Sequence, residues 1–228
     1  MFDIYIIHNQ KLESRKLYLD SVLGAKPNVY YVSIENDCPD WITQTYEGLN
    51  EKKWVYKQKN LWDPQLQSRE LTKGEIACTA SHFYAYKKFL EISQNDWLLI
   101  LEDDAILQPH ALELLESDIS SLPPLIDALF VGGAFPHDKV SLTVGKYLHF
   151  NIKHHPVTNG TISYLIHKKM IKKVMCDFNT FDLPIDYELA YLLMINNGMV
   201  LHRDPYVVEE GSKSIYTSSL ASELDGYR

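Results

Sequence analysis

Apolar residues occur along this chain in short continuous runs separated by stretches of helical spacing, a rhythm that predicts buried strands alternating with amphipathic helices. Phe2 to Ile7 is a β-branched and aromatic run that reads as a strand. After His8-Asn9-Gln10, the apolar positions Leu12, Leu17, Leu19, Val22 and Leu23 read as a helix ending near Gly24. Val29 to Ile34 again has strand character. From Thr72 a helix starts with Thr72 and Glu75 at capping-box spacing, and Ile76, Ala80, Phe83, Ala85, Phe89 and Leu90 continue its apolar positions. Trp97 to Leu101 is uninterruptedly apolar, the pattern of a strand covered on both faces, and the chain then turns to Glu102-Asp103-Asp104.

Beyond the triplet the pattern predicts a helix from Pro109 to about Leu115 and a strand from Ala128 to Val131, closed by Gly132-Gly133. A polar stretch containing His154-His155 runs to about Asn159. A strand over Thr161 to His167 follows, with helices over Lys168 to Met175 and Tyr187 to Ile195, the second stopped by Asn197-Gly198. Met199 to His202 and Tyr206 to Val208 read as short strands. Glu35 to Ser68 is polar, dotted with Trp and poorly periodic, so it reads as a small insertion, and the Ser-rich end from Ser212 is expected to be mobile. Strands alternating with helices imply one α/β domain over residues 1–228, with a doubly wound, mainly parallel sheet that takes ligands beyond the carboxyl ends of its strands.

Composition narrows the function. A hydrophobic fraction of 46% is enough for a packed core, and a formal charge of -8 with no basic run argues against nucleic acid as a partner. No basic leader precedes the first strand and no apolar run reaches the length of a membrane span, so the expectation is a cytoplasmic protein with at most peripheral membrane contact. Cys38, Cys78 and Cys176 are scattered and odd in number, which fits free thiols.

The triplet is the strongest chemical signal. Adjacent carboxylates at a strand end repel one another unless solvent, donors or a cation offset their charge, and hard cations such as Mn²⁺ and Mg²⁺ bind carboxylate and phosphate oxygens together. An acidic turn favouring the next helix dipole is the alternative. A base for an acceptor hydroxyl would come from Asp186 or Glu188, each of which could instead serve the start of its helix. Arg15 is placed either to reach a donor or to form a surface ion pair.

The phrase Leu71-Thr72-Lys73-Gly74-Glu75-Ile76-Ala77-Cys78-Thr79-Ala80-Ser81-His82, followed by the apolar strand into Glu102-Asp103-Asp104, resembles glycosyltransferase family 25. Ile6-Ile7-His8-Asn9 with Arg15, Asn159-Gly160-Thr161, and Pro184-Ile185-Asp186-Tyr187-Glu188-Leu189 resemble further motifs of that family. His8 stands where an apolar residue is usual, and Ala77 where Gly is common. The resemblance implies a GT-A type fold, a nucleotide-sugar donor, Mn²⁺ or Mg²⁺, and transfer with inversion. Bacterial relatives often move galactose from UDP-galactose onto lipooligosaccharide or lipopolysaccharide, so the implied acceptor is a glycan or lipid-linked glycan. By the same analogy Asp104 is the direct metal ligand, and Glu102 and Asp103 contact the donor's ribose or complete the metal shell; His202, after the Met199-Val200-Leu201 run, is a candidate nitrogen ligand from a late loop, as some GT-A enzymes use. His8, Asn9, Arg15, Glu102, Asp103 and Gly160 then surround the donor. A metal-dependent phosphohydrolase or nucleotidyltransferase, and a binding module without turnover, are the competing readings.

Overall fold

The computed structural model describes residues 1–32, 45–46, 48–61, 68–133, 140–150 and 160–216. Strand β1 (Phe2–Ile7) leads through α1 (Glu13–Leu23) to β2 (Val29–Val32), after which come α2 (Glu51–Leu61) and the long α3 (Lys73–Ile92). Next follow β3 (Trp97–Glu102), β4 (Ala105–Leu107), α4 (Ala111–Ser121) and β5 (Ala128–Phe130). A hairpin, β6 (Val140–Val144) and β7 (Tyr147–Phe150), precedes β8 (Ser163–His167), α5 (Lys168–Asp177) and α6 (Ile185–Ile195). The chain then forms β9 (Val200–Arg203), β10 (Val208–Glu210) and a short 3-10 turn.

Eight strands form one sheet in the order β2-β1-β3-β8-β5-β9-β7-β6, and β10 pairs separately with β4. Strands β1, β2 and β3 are parallel, as are β5 and β9, while β8 and β7 run against their neighbours. The sheet is therefore mixed and mostly parallel, with helices on its faces. Sequence pattern alone misses the reversal of β8, because a strand buried on both faces looks the same in either direction.

Side-chain alternation along β1 and β3 explains the layering. Leu98 and Ile100 face the side covered by α3, α5 and α6, and Leu99 and Leu101 face the side covered by α1 and α4. All four are fully buried, and each such side chain contributes roughly 1.5–3 kcal/mol of transfer free energy. The predicted capping box is present: the Thr72 hydroxyl accepts from the Glu75 N–H, and the Glu75 carboxylate accepts from the Thr72 N–H. Two elements go beyond the sequence reading. Helix α2 lies inside the stretch read as poorly periodic, and the β6–β7 hairpin lies inside the stretch read as polar loop. Cys38, Asn159, the His154-His155 pair and the tail from 217 onward lie outside the described residues.

Candidate active site

The site forms where β1 and β3 end. Their parallel register sets Ile7 beside Glu102, so the residues that leave the two strands, His8-Asn9 and Asp103-Asp104, emerge together. On the other side of β3, the antiparallel register with β8 pairs Leu101 with Ser163, and the Glu102 N–H donates to the Ile162 carbonyl. Thr161 is thereby brought onto Glu102, and its hydroxyl donates to Glu102 Oε1 at 2.7 Å.

The three adjacent carboxylates go to three different neighbourhoods. Asp103 turns back toward the first strand, where it accepts from Arg15 Nη1 at 2.7 Å and from the Asn9 N–H at 2.9 Å, and faces His8 Nδ1 at 3.2 Å. Burial pushes its carboxyl up, but the bonds from His8, Asn9 and Arg15 outweigh that and hold it below the ordinary aspartate value. Asp103, His8 and Arg15 are all buried. Asp103 and Arg15, expected beside a donor, bond to each other, and together with His8 and Asn9 they fasten the β1–α1 loop to the triplet. The guanidinium of Arg15 also lies 5.1 Å from the centre of the Tyr216 ring.

Asp104 has the opposite circumstances. Burial first, and the Glu102 charge second, push its carboxyl up to about 6, with Arg15 and a Ser212 hydrogen bond only partly offsetting them. Among the described residues no Lys, Arg or His lies within ion-pair distance of it. Its backbone is fixed by the segment after β10, where the Gly211 N–H donates to the Asp104 carbonyl at 2.7 Å. A Cβ at Gly211 would stand 2.6 Å from that carbonyl oxygen, so the close approach requires glycine. Gly211 and Ser212 escaped the sequence reading because nothing in their spacing ties them to a strand end a hundred residues earlier.

Glu102 looks toward α3. Its Oε1 lies 3.5 Å from His82 Nε2, and Cys78, His82 and Glu102 place one ligand atom each within 4.8 Å of one another. His82 Nδ1 is 2.7 Å from the Tyr164 hydroxyl, which is 2.5 Å from that of Tyr86.

Of the two candidate bases, the structure separates Asp186 from Glu188. Pro184 is the N-cap of α6 and supplies no side-chain cap, so Asp186 sits in the first turn with its Oδ1 accepting from the Tyr187 N–H at 3.0 Å. Burial, with Glu102 adding to it, pushes its carboxyl up to about 6. Glu188 is two residues on, turned by about 200° around the helix. It is fully buried and accepts from Lys57 Nζ through both oxygens at 2.7 Å, beside Asp182, which takes the same ammonium at 2.5 Å. Next to this group a cavity of about 540 Å³ opens between α2 and α6, bordered by Lys53, Tyr56 and Tyr191. Glu188 is thus, of the two candidate bases, the one already taken up by an ion pair, with Lys57. Lys57 and Asp182 went unread because a buried lysine breaks the apolar stripe by which helix α2 would have been found.

His202, expected as a further metal ligand, sits elsewhere in the sheet. It lies on β9, three strands from β3 in the sheet, buried with its ring stacked on Phe130 at 5.1 Å and Nδ1 3.4 Å from the Tyr206 hydroxyl. It is not part of the ligand cluster around Glu102 among the described residues. Gly160 enters β8 with φ 153°, just ahead of Thr161. Among the described residues no helix is long and apolar enough to cross a membrane.

No curated protein sequence matches the chain. Solved structures of similar shape include a glycosyltransferase involved in glycosylation of the major capsid of PBCV-1, at 14% identity over 92% of this chain and 93% of that one with a TM-score of 0.43. A197 from STIV is 12% identical over 91% and 83%, TM-score 0.45, and S. aureus TarS 1-349 is 12% identical over 95% and 62%, TM-score 0.50. At that identity the last likeness speaks for the fold alone, an α/β arrangement of GT-A type. Residues 3–189, which contain all of β1 but its first residue, the capped helix, the triplet and Asp186, match the sequence model described as glycosyltransferase family 25 (LPS biosynthesis protein), and the chain belongs to that family of glycosyltransferases.

Proposed function

We propose that this glycosyltransferase moves a sugar, galactose from UDP-galactose being favoured, onto a glycan or lipid-linked glycan of a surface polysaccharide, using Mn²⁺ or Mg²⁺. The observation that carries the reading is that Asp104 and Asp186, both with carboxyls raised to about 6, are each near enough to Glu102 for its charge to act on them, with no cationic side chain bonded to either among the described residues. Half-buried carboxylates left in that state call for a cation or a substrate proton.

The donor set fits a hard divalent ion. Asp104 offers carboxylate oxygens, and Glu102 has a second oxygen, Oε2, with no partner among the described residues. Asp104 would hold the ion with Glu102 supporting it, and without His202. A cation bound there offsets the negative charge that grows on a departing nucleoside diphosphate. The clamp of Arg15, His8 and Asn9 on Asp103 keeps the turn in one geometry, so Asp104 presents its oxygens without reorganising. Asp186 takes the proton from the acceptor hydroxyl as its oxygen attacks the anomeric carbon from the face opposite the leaving group, which inverts the configuration. A carboxylate with a value near 6 is ionised at neutral pH and is a stronger base than an ordinary aspartate. Any contact with a lipid-linked acceptor is peripheral.

The test separates binding from turnover. Asp104→Asn is expected to lose Mn²⁺-dependent UDP-sugar binding in calorimetry. Asp186→Asn is expected to keep that binding and to lose about 10²–10⁴-fold in kcat, the range for general base catalysis. Full donor binding in the first variant, or full turnover in the second, removes that residue from its role.

A further inference from the structure

We propose that Cys78, His82 and Glu102 form a second cation site, separate from Asp104 and suited to a borderline-soft divalent ion such as Zn²⁺. Cys78 and His82 stand four residues apart on α3, so both project from one face of the helix, toward the end of β3 where Glu102 leaves the sheet. One ligand atom from each of the three lies within 4.8 Å of the others, and His82 Nε2 is 3.5 Å from Glu102 Oε1. Donors bound tetrahedrally to zinc at its usual bond lengths stand about 3.4–3.8 Å apart, so the set closes on an ion with small side-chain movements.

An independent observation points to a ligand. His82 is fully buried, and its Nε2 has no hydrogen-bond partner among the described residues. A buried imidazole nitrogen left without a partner is costly unless something fills the place in front of it. The opposite ring nitrogen is well held: Nδ1 meets the Tyr164 hydroxyl, which meets that of Tyr86. With Nδ1–H donating to Tyr164, and Tyr164 in turn to Tyr86, Nε2 presents its lone pair to the cluster. Fixing the tautomer through the far nitrogen is how metal-bound histidines are oriented. Thr161 holds Glu102 in the same manner from the other side.

Donor chemistry sorts the two sites. Thiolate and imidazole favour zinc, whereas magnesium and manganese prefer oxygen alone, which is what Asp104 offers. The second site would clasp the first half of α3 to the end of β3 and fix the direction of Glu102. It does not depend on the role given to Asp104.

Cobalt substitution tests the site in the full chain. The protein is stripped with chelator and titrated with Co²⁺, and one equivalent is expected to produce the near-ultraviolet charge-transfer band of a thiolate-bound ion. The chain has three cysteines, so the double variant Cys38→Ser/Cys176→Ser should retain the band and assign it to Cys78 without touching the cluster. Tyr164→Phe is expected to weaken Co²⁺ binding by about 10–100-fold, as removal of an outer hydrogen bond to a ligating histidine does. Absence of the band from the wild-type protein, or its loss in the double variant, overturns the site. Asp104→Asn should leave the band intact, so failure of this site and failure of the donor-site reading give different results.

Discussion

Two groups of carboxylates occupy this protein, one at the ends of β1 and β3 and one between α2 and α6, and they are treated in opposite ways. Between the helices, Asp182 and Glu188 converge on Lys57, and the Asp182 and Leu183 N–H groups point toward Glu188 Oε2 at 3.5 and 3.3 Å. That group is served from within the chain: one ammonium meets both carboxylates, although Asp182 Oδ2 has no hydrogen-bond partner among the described residues and burial still pushes the Glu188 carboxyl up. At the strand ends only Asp103 receives such treatment, from Arg15, His8 and Asn9, while Asp104 and Asp186 are half-buried without a bonded cation among the described residues. The difference teaches where chemistry resides. Acidic residues abound in the chain, and what marks a site is a desolvated carboxylate whose compensation has to come from outside.

The largest expected effect comes from breaking the group between the helices. Lys57→Met would leave two carboxylates buried with no ammonium, and removing one partner of a buried ion pair costs about 3–5 kcal/mol. Urea unfolding should show this as a lower midpoint. The fraction that remains folded should bind UDP-sugar as the wild type does. Donor affinity that collapses in step with stability would mean the two groups are coupled and the contrast is false.

A smaller effect, of opposite sign for neighbours, comes from Asp103→Asn and Asp104→Asn. Loss of charged hydrogen bonds to buried Arg15 and His8 should destabilise the first variant by about 2–3 kcal/mol. The second should be neutral or, in chelator above pH 7, more stable than wild type by about 1–2 kcal/mol, a figure reduced from the full pKa difference because the carboxyl is partly exposed. The sign follows from linkage. Asp104 and Asp186 keep their protons in the folded state up to about pH 6, above the ordinary aspartate value of 3.8, so the folded protein binds more protons between those pH values. Metal-free wild type should therefore lose stability as pH rises from about 4 to about 6, and Asp104→Asn should flatten that slope. Asp103 acts the other way, its contribution present above the ordinary value and lost in stronger acid. Melting curves of both variants against pH in chelator check the pair, and equal effects at the two positions would abolish the distinction drawn between them.

Much of this was readable in the residues, and the gaps have physical causes. The capping box, the apolar run Trp97 to Leu101 and the abrupt triplet are local signals, and the fold uses each where the pattern puts it. The three directions taken by the triplet are not local, because they depend on which strands flank β3: β1 brings His8 and Arg15, and β8 brings Thr161. Strand order also took His202 away from the site, though its place at the end of an apolar run was read correctly. Helix α2 hid because, over residues 51–57, its buried positions are Trp54 and the charged Lys57, the second of which periodicity counts as polar. Asp186 and Glu188 were separable in principle, since helical geometry turns residues two apart to different faces.

The smallest effect probes whether the start of α3 belongs to the site or only to the scaffold beneath it. Thr72→Ala removes the hydroxyl that accepts from the Glu75 N–H, and loss of an N-cap costs about 1 kcal/mol. Glu75 would keep its bonds from Arg69 at 2.8 and 2.5 Å, but that pair is largely exposed and adds little. Fraying is confined to the four N–H groups of the first turn, and Cys78 and His82 lie beyond them. Donor affinity and the Co²⁺ band should both be unchanged while the melting temperature falls slightly. A tenfold loss of donor affinity, about 1.4 kcal/mol, would instead mean that the first turn of α3 reaches the donor, and the boundary between scaffold and site would move one helical turn toward Thr72.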